Sequence, residues 1–195
     1  MRKETEGSLV QLAELTDCLE CNPIIAAVNE DNWSAALKSP AQVLFYLSAD
    51  LLTVAQRIHQ AHEAGKYLFV HIDLAEGVGK DRAGIRYLAQ CGVDGIISTR
   101  AQLIRSAKDQ GLLTVQRFFA LDSKGMDSIE EMLRNTNPHL MEIMPGVIGK
   151  AIRRFSDGHM IVIAGGLVQT KQEVTDALSC GAAAVSTGCV ALWDL

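Results

Sequence analysis

The sequence predicts an α/β chain folded as a single small (β/α)8 barrel with parallel strands, on three observations. Eight short apolar runs recur along the 195 residues. Stretches with helical spacing separate them at intervals of roughly 20 to 27 residues, as repeated strand–helix units require. Glycine, serine and acidic residues gather late in the runs, at the strand ends where a barrel carries its binding face.

The runs are PIIAAV (23–28), VLFYL (43–47), YLFVHID (67–73), DGIIS (94–98), LTVQRFF (113–119), LMEIMPG (140–146), MIVIAGG (160–166) and AAVSTG (183–188). Between them, LLTVAQRIHQAHEAGK aligns Val54, Ile58 and Ala61 and stops at Gly65, while MDSIEEMLRNTNP aligns Ile129, Met132 and Leu133 and closes at Pro138. EAGKYLFVHI, QCGVDGIIS, DQGLLTVQ and SCGAAAVST repeat one phrase: helix end, glycine, strand. An open doubly wound sheet would show fewer strands and an early glycine fingerprint. Here Gly165, Gly166 and Gly188 come late, which favours the barrel.

No Pro- or Ser-rich linker divides the chain, and 48% hydrophobic content supplies one large core, so residues 1–195 read as one domain. A net charge of −5 lacks the general basic character of a nucleic-acid binder, so any RNA contact has to use a local patch. Five cysteines are no disulfide framework at this length, and the opening MRKETEGSLV lacks the apolar core of a signal peptide. With no apolar stretch of membrane-spanning length, the expectation is a cytoplasmic chain without membrane partners. Cys18 and Cys21 have C-x-x-C spacing, but no second pair answers them, and His59 and His62 lack a third ligand; neither pair implies a metal or cofactor.

In such a barrel a recurrent phosphate site is built by the loops after strands seven and eight. The seventh run ends in Gly165 and Gly166, the eighth in Ser186, Thr187 and Gly188. Exposed backbone N–H groups, hydroxyls and the start of a following helix suit a phosphate dianion without any lysine. Alone, each glycine cluster could serve merely to turn the chain.

Period-two geometry puts His71 and Asp73 on one face, opposite Leu68, Val70 and Ile72, which suit the helix layer. Thr114 and Gln116 share a face, with Arg117 on the other or at the rim, and Glu142 and Met144 alternate with Ile143. Singly, a buried His, Gln or Glu can satisfy a neighbour. Gathered at one end, His71, Asp73, Gln116 and Glu142 point to a polyol or phosphate-ester pocket, because hydroxyls need fixed acceptors. Arg100, Arg105, Arg153 and Arg154 read as solvated helix faces and as the available basic rim for RNA phosphates.

The ordered set IIAAV (24–28), HIDLAEGVGKD (71–81), GIISTR (95–100), LLTVQRFFALDS (112–123), MEIMPGV (141–147), IAGGL (163–167), AVST (184–187) and a final LW (192–193) resembles the glycerol-3-phosphate-responsive antiterminator family, regulators of bacterial glycerol uptake operons. The resemblance spans nearly the whole chain. It implies a TIM barrel that binds glycerol 3-phosphate and, when loaded, acts on leader mRNA of glycerol operons to prevent premature termination, with no catalytic residue. By matching motif, Gly165, Gly166, Ser186 and Thr187 would hold the phosphate, and His71, Asp73, Gln116 and Glu142 would face the glycerol end. The family's Ser-Asn after the Ser/Thr pair is replaced here by Gly188 and Cys189.

The alternative is a glycerol-phosphate-utilising TIM-barrel enzyme, an isomerase, aldolase or prenyl transferase, with Asp73, His71 and Glu142 as acid–base groups. No lysine falls at a strand end for a Schiff base: Lys66 precedes its strand and Lys80 lies well beyond one. A third reading keeps the ligand and dispenses with RNA. The oligomeric state is left open, a homo-oligomer included.

Overall fold

The computed structural model describes residues 6–158 and 160–195. Eight parallel strands close into a barrel in sequential order: β1 (Ile24–Val28), β2 (Val43–Tyr46), β3 (Tyr67–His71), β4 (Gly95–Ser98), β5 (Leu113–Phe119), β6 (Leu140–Met144), β7 (Ile161–Gly165) and β8 (Ala184–Thr187), which returns to pair with β1. All eight expected strands are present. Between them run α2 (Trp33–Lys38), α3 (Val54–Glu63), α4 (Arg82–Gln90), α5 (Ala101–Asp109), α6 (Ser123–Thr136), α7 (Gly149–Ser156) and α8 (Lys171–Ser179).

Alternation divides each strand between two apolar clusters. Ile24, Leu44, Leu68, Val70, Ile96, Ile143 and Val185 face the helices, where they meet residues such as Val54, Ile58, Ile85, Leu103 and Phe155. Ile25, Phe45, Phe69, Ile97, Val115 and Ile163 fill the barrel. Gly95 makes room for one of them, since a Cβ there would strike the Phe69 ring on the neighbouring strand. The repeated glycine phrase is one device used four times: Gly65, Gly92, Gly111 and Gly181 all take positive φ between helix and strand, a conformation that glycine enters without a Cβ clash.

One further element, unmarked by the sequence pattern, lies ahead of the barrel. Helix α1 (Glu6–Cys21) precedes β1 and closes the amino-terminal end of the barrel, with Leu15 and Leu19 buried against Ile25, Val43, Phe45, Phe69 and Leu140. Cys18 and Cys21 lie on this helix as free thiols. Cys18 Sγ donates to Gln42 Oε1 at 2.8 Å, and burial raises its pKa. Among the described residues, no helix is long and apolar enough to cross a membrane, and no cluster of three His, Cys, Asp or Glu could hold a metal.

Candidate ligand-binding site

At the carboxyl ends of the strands a cavity of about 690 Å³ opens, with Asn29, Asn32, Leu47, Arg117, Glu142, Gly166, Ser186, Thr187 and Gly188 in its lining. The inward positions of the strands explain its chemistry. On β5 they read Leu113, Val115, Arg117; on β6, Leu140, Glu142; on β8, Ala184, Ser186; on β3, Phe69, His71. Apolar below, each becomes polar one step higher.

Arg117 and Glu142 form the centre of that upper layer. They are register partners on adjacent strands, and Arg117 Nε donates to Glu142 Oε2 at 2.6 Å, with side-chain exposures of only 9% and 1%. A charge-assisted bond in so dry a place holds the guanidinium fixed and leaves its outer donors to the cavity. Gly165 is explained by the same pair: a Cβ there would occupy the space of the Glu142 carboxylate. His71 is buried nearby with Nδ1 unpartnered among the described residues. Burial and the Arg117 charge push its pKa down to about 4, so the ring is neutral at pH 7.

Gly166 at φ 72° and Leu167 at φ 60° turn the loop after β7 out over the cavity. Among the described residues, the backbone N–H groups of Gly166, Leu167 and Gly188 donate to no protein acceptor. The start of α8 differs from expectation. The Glu173 carboxylate already accepts from the N–H groups of Gln169 and Thr170, at 2.8 and 2.9 Å, in a capping box with Thr170. An anion here therefore meets loop amides and not a free helix terminus.

The structure brings Gly166, Ser186, Thr187, Gly188 and Glu142 together around one cavity, keeps His71 inward and buried near Arg117 but outside the lining, and redirects Gly165, Asp73 and Gln116. Gly165 lies behind it. The Thr187 hydroxyl is committed to the fold, donating to the Val168 carbonyl at 2.7 Å and accepting from the Cys189 N–H, while Trp193 Nε1 donates to the Thr187 carbonyl. Asp73 lies beyond the end of β3, where a turn breaks the two-residue period. Its carboxylate accepts from Ser98 Oγ, Thr99 N and Thr99 Oγ1 and pairs with Arg100 at 3.5 Å, pinning the loop after β4.

Gln116 is the clearest correction. It points outward, where Thr136 Oγ1 of α6 donates to its carbonyl oxygen at 2.6 Å, and Thr114 likewise pairs outward with His139. The apolar residues of β5 take the interior, which puts Arg117 at its top. Arg117 is thus the inward cation that the polar pattern concealed.

The four arginines form no single rim. Arg100 precedes α5 beside the cavity end of the barrel, and exposed Arg105 is on the same helix. Arg153 and Arg154 occupy the last turn of α7, toward the opposite end. Arg153 donates to Cys180 Sγ, and Arg154 is paired with Glu130 and Asp127.

The family model of the glycerol-3-phosphate responsive antiterminators matches residues 24–193, the whole barrel from β1 to Trp193. The chain belongs to this family. The crystal structure of the glycerol uptake operon antiterminator regulatory protein from Listeria monocytogenes superposes with a TM-score of 0.83 at 30% identity, covering 88% of this chain and 95% of that one. A glycerol uptake operon antiterminator-related protein from Thermotoga maritima gives 0.80 at 32%, covering 88% and 98%. Among curated proteins, the uncharacterized protein YgcP of Escherichia coli (strain K12) is 32% identical over 184 residues, 93% of this chain and 96% of its own. Enzyme barrels also superpose, such as orotidine 5'-phosphate decarboxylase from Pyrococcus horikoshii with a TM-score of 0.64, but at 14% identity they share the fold alone.

Proposed function

We propose that this antiterminator-family protein binds glycerol 3-phosphate in the carboxyl-end cavity and, when loaded, acts on leader mRNA of glycerol uptake operons to prevent premature termination. One observation carries the ligand assignment: Gly166, Leu167 and Gly188, whose amides donate to no acceptor among the described residues, line the same cavity as the buried Arg117–Glu142 pair. The amides take the phosphate. Glycerol hydroxyls then accept from the Arg117 guanidinium and donate to Glu142 and Ser186. His71, neutral at the barrel's centre, supports the glycerol end without adding a charge.

The same geometry supports a regulator over an enzyme. Among the described residues no lysine lines the cavity: Lys66 donates to the Ser39 and Ala41 carbonyls, and Lys80 to those of Ala75 and Val78. Asp73 is engaged by Ser98 and Thr99 of the loop after β4, and Glu142 is held by Arg117. A gel-shift series with a glycerol-operon leader, with and without glycerol 3-phosphate and across salt, tests the proposal. Ligand should tighten RNA binding, and salt should weaken it because releasing counterions into a more concentrated solution gains less. Absence of RNA binding in both states, with turnover of a glycerol-phosphate substrate, would move the reading to the enzyme.

A further inference from the structure

The loop after β1 contributes two side chains to the cavity that neither motif nor family assignment marks. Asn29 and Asn32 both line it. Asn32 Oδ1 accepts from the Asn29 N–H at 2.8 Å, and Asn29 Oδ1 accepts from the Asn32 N–H at 3.2 Å. This reciprocal pair settles the orientation of both amides: each oxygen is turned to the backbone, so each NH2 is the free end. Among the described residues neither NH2 has an acceptor.

The loop that carries them is braced from outside the cavity. Glu30, between the two asparagines, accepts from the Tyr46 hydroxyl and from Arg57. Arg57 lies over the Trp33 ring at 5.1 Å, and Trp33 Nε1 donates to Gln60 at 3.0 Å. Donors held this way lose little freedom when a ligand arrives. Their place is also defined. β1 pairs with β8, and the Ala27 carbonyl lies 3.7 Å from where a Gly188 Cβ would stand, so the loop after β1 leaves the sheet beside the loop after β8, and Asn29, Asn32 and Gly188 line the same cavity.

We propose that Asn29 and Asn32 are the side-chain donors of the phosphate subsite, complementing the backbone donors of the β7 and β8 loops. The inference rests on the assignment of this cavity to glycerol 3-phosphate and adds which residues select its oxyanion. Being neutral donors, they recognise phosphate oxygens by hydrogen bonding, and an aspartate in their place would repel them.

The test is calorimetric titration of the full chain with glycerol 3-phosphate and, separately, inorganic phosphate. The double variant Asn29→Ser/Asn32→Ser keeps an oxygen acceptor for each loop N–H and removes both NH2 groups without changing charge. Expected is a tenfold or greater loss of affinity for both probes at unchanged melting temperature. Any smaller loss, or a loss confined to glycerol 3-phosphate, overturns the assignment. Should the double variant melt early, the single variants Asn29→Ser and Asn32→Ser carry the test without a change of charge: each is expected to lose threefold or more in affinity for both probes, and wild-type affinity in either folded variant overturns the assignment. Wild-type protein that binds neither probe would instead sink the cavity assignment itself, and this inference with it.

Discussion

The two ends of this barrel are built from the same inward positions of the same strands, and they differ in what fills them. At the amino-terminal end, Leu15 and Leu19 of α1 close over Ile25, Val43, Phe45 and Phe69, leaving no room for solvent. At the carboxyl end, two positions further along each strand, Arg117, Glu142, Ser186 and His71 replace the aliphatic layer and a cavity of about 690 Å³ opens above them. The lower layers gain from burial at about 25 cal/mol per Å² of apolar surface. The upper layer gains only while its charges remain paired, because desolvating a single ion costs several kcal/mol. Stability and ligand recognition are thus separated along the barrel axis, within one strand.

The comparison can be broken most forcefully at the charged layer. Arg117→Met leaves Glu142 buried without its partner and should cost about 3–5 kcal/mol in urea denaturation, whereas Arg117→Met/Glu142→Met should recover most of that loss. At the plugged end, Leu15→Ala should cost about 3–4 kcal/mol through lost burial and a residual cavity, with ligand affinity unchanged. Equal effects on ligand binding from both ends would erase the distinction.

His71 sharpens the contrast through pH. Its folded pKa of about 4 lies below the ordinary 6.5, so below pH 6.5 the unfolded chain takes up a proton that the folded chain refuses. The contribution of His71 is complete above pH 6.5 and is lost as pH falls toward 4. Denaturation midpoints should therefore record a loss of roughly 2–3 kcal/mol across that window, and His71→Phe should flatten the profile. The smallest change in fold belongs to Gly166→Val, where φ 72° disfavours a β-branched residue but the one close contact of an added Cβ is the flexible Cε end of Met144. Stability should fall by about 1–2 kcal/mol, and calorimetry should show glycerol 3-phosphate affinity reduced tenfold or more.

The same axis explains what could be read in the sequence. The lower layers obey simple rules, so the eight runs, the recurrent glycine before a strand and the parity of YLFVHID were all legible: Leu68, Val70 and Ile72 face the helix side, and His71 the interior. The upper layer breaks those rules. On β5 the polar residues fall on both faces, and nothing local shows that Gln116 is satisfied outside by Thr136 or that Arg117 is neutralised inside by Glu142, 25 residues away. Gly165 and Gly166 signalled a close approach, and half of that signal belongs to a side chain of the fold. Asp73 lies in the turn after β3, where the two-residue period no longer holds. Helix α1 escaped because its buried face is two leucines wide, too little to stand out until the barrel beneath it exists.

The most direct test of the separation is calorimetric titration of Arg117→Met/Glu142→Met with glycerol 3-phosphate beside the wild type. Expected is a folded variant of near-native stability that has lost saturable binding, while the wild type binds one ligand per chain. A folded double variant that binds glycerol 3-phosphate as tightly as the wild type would contradict it.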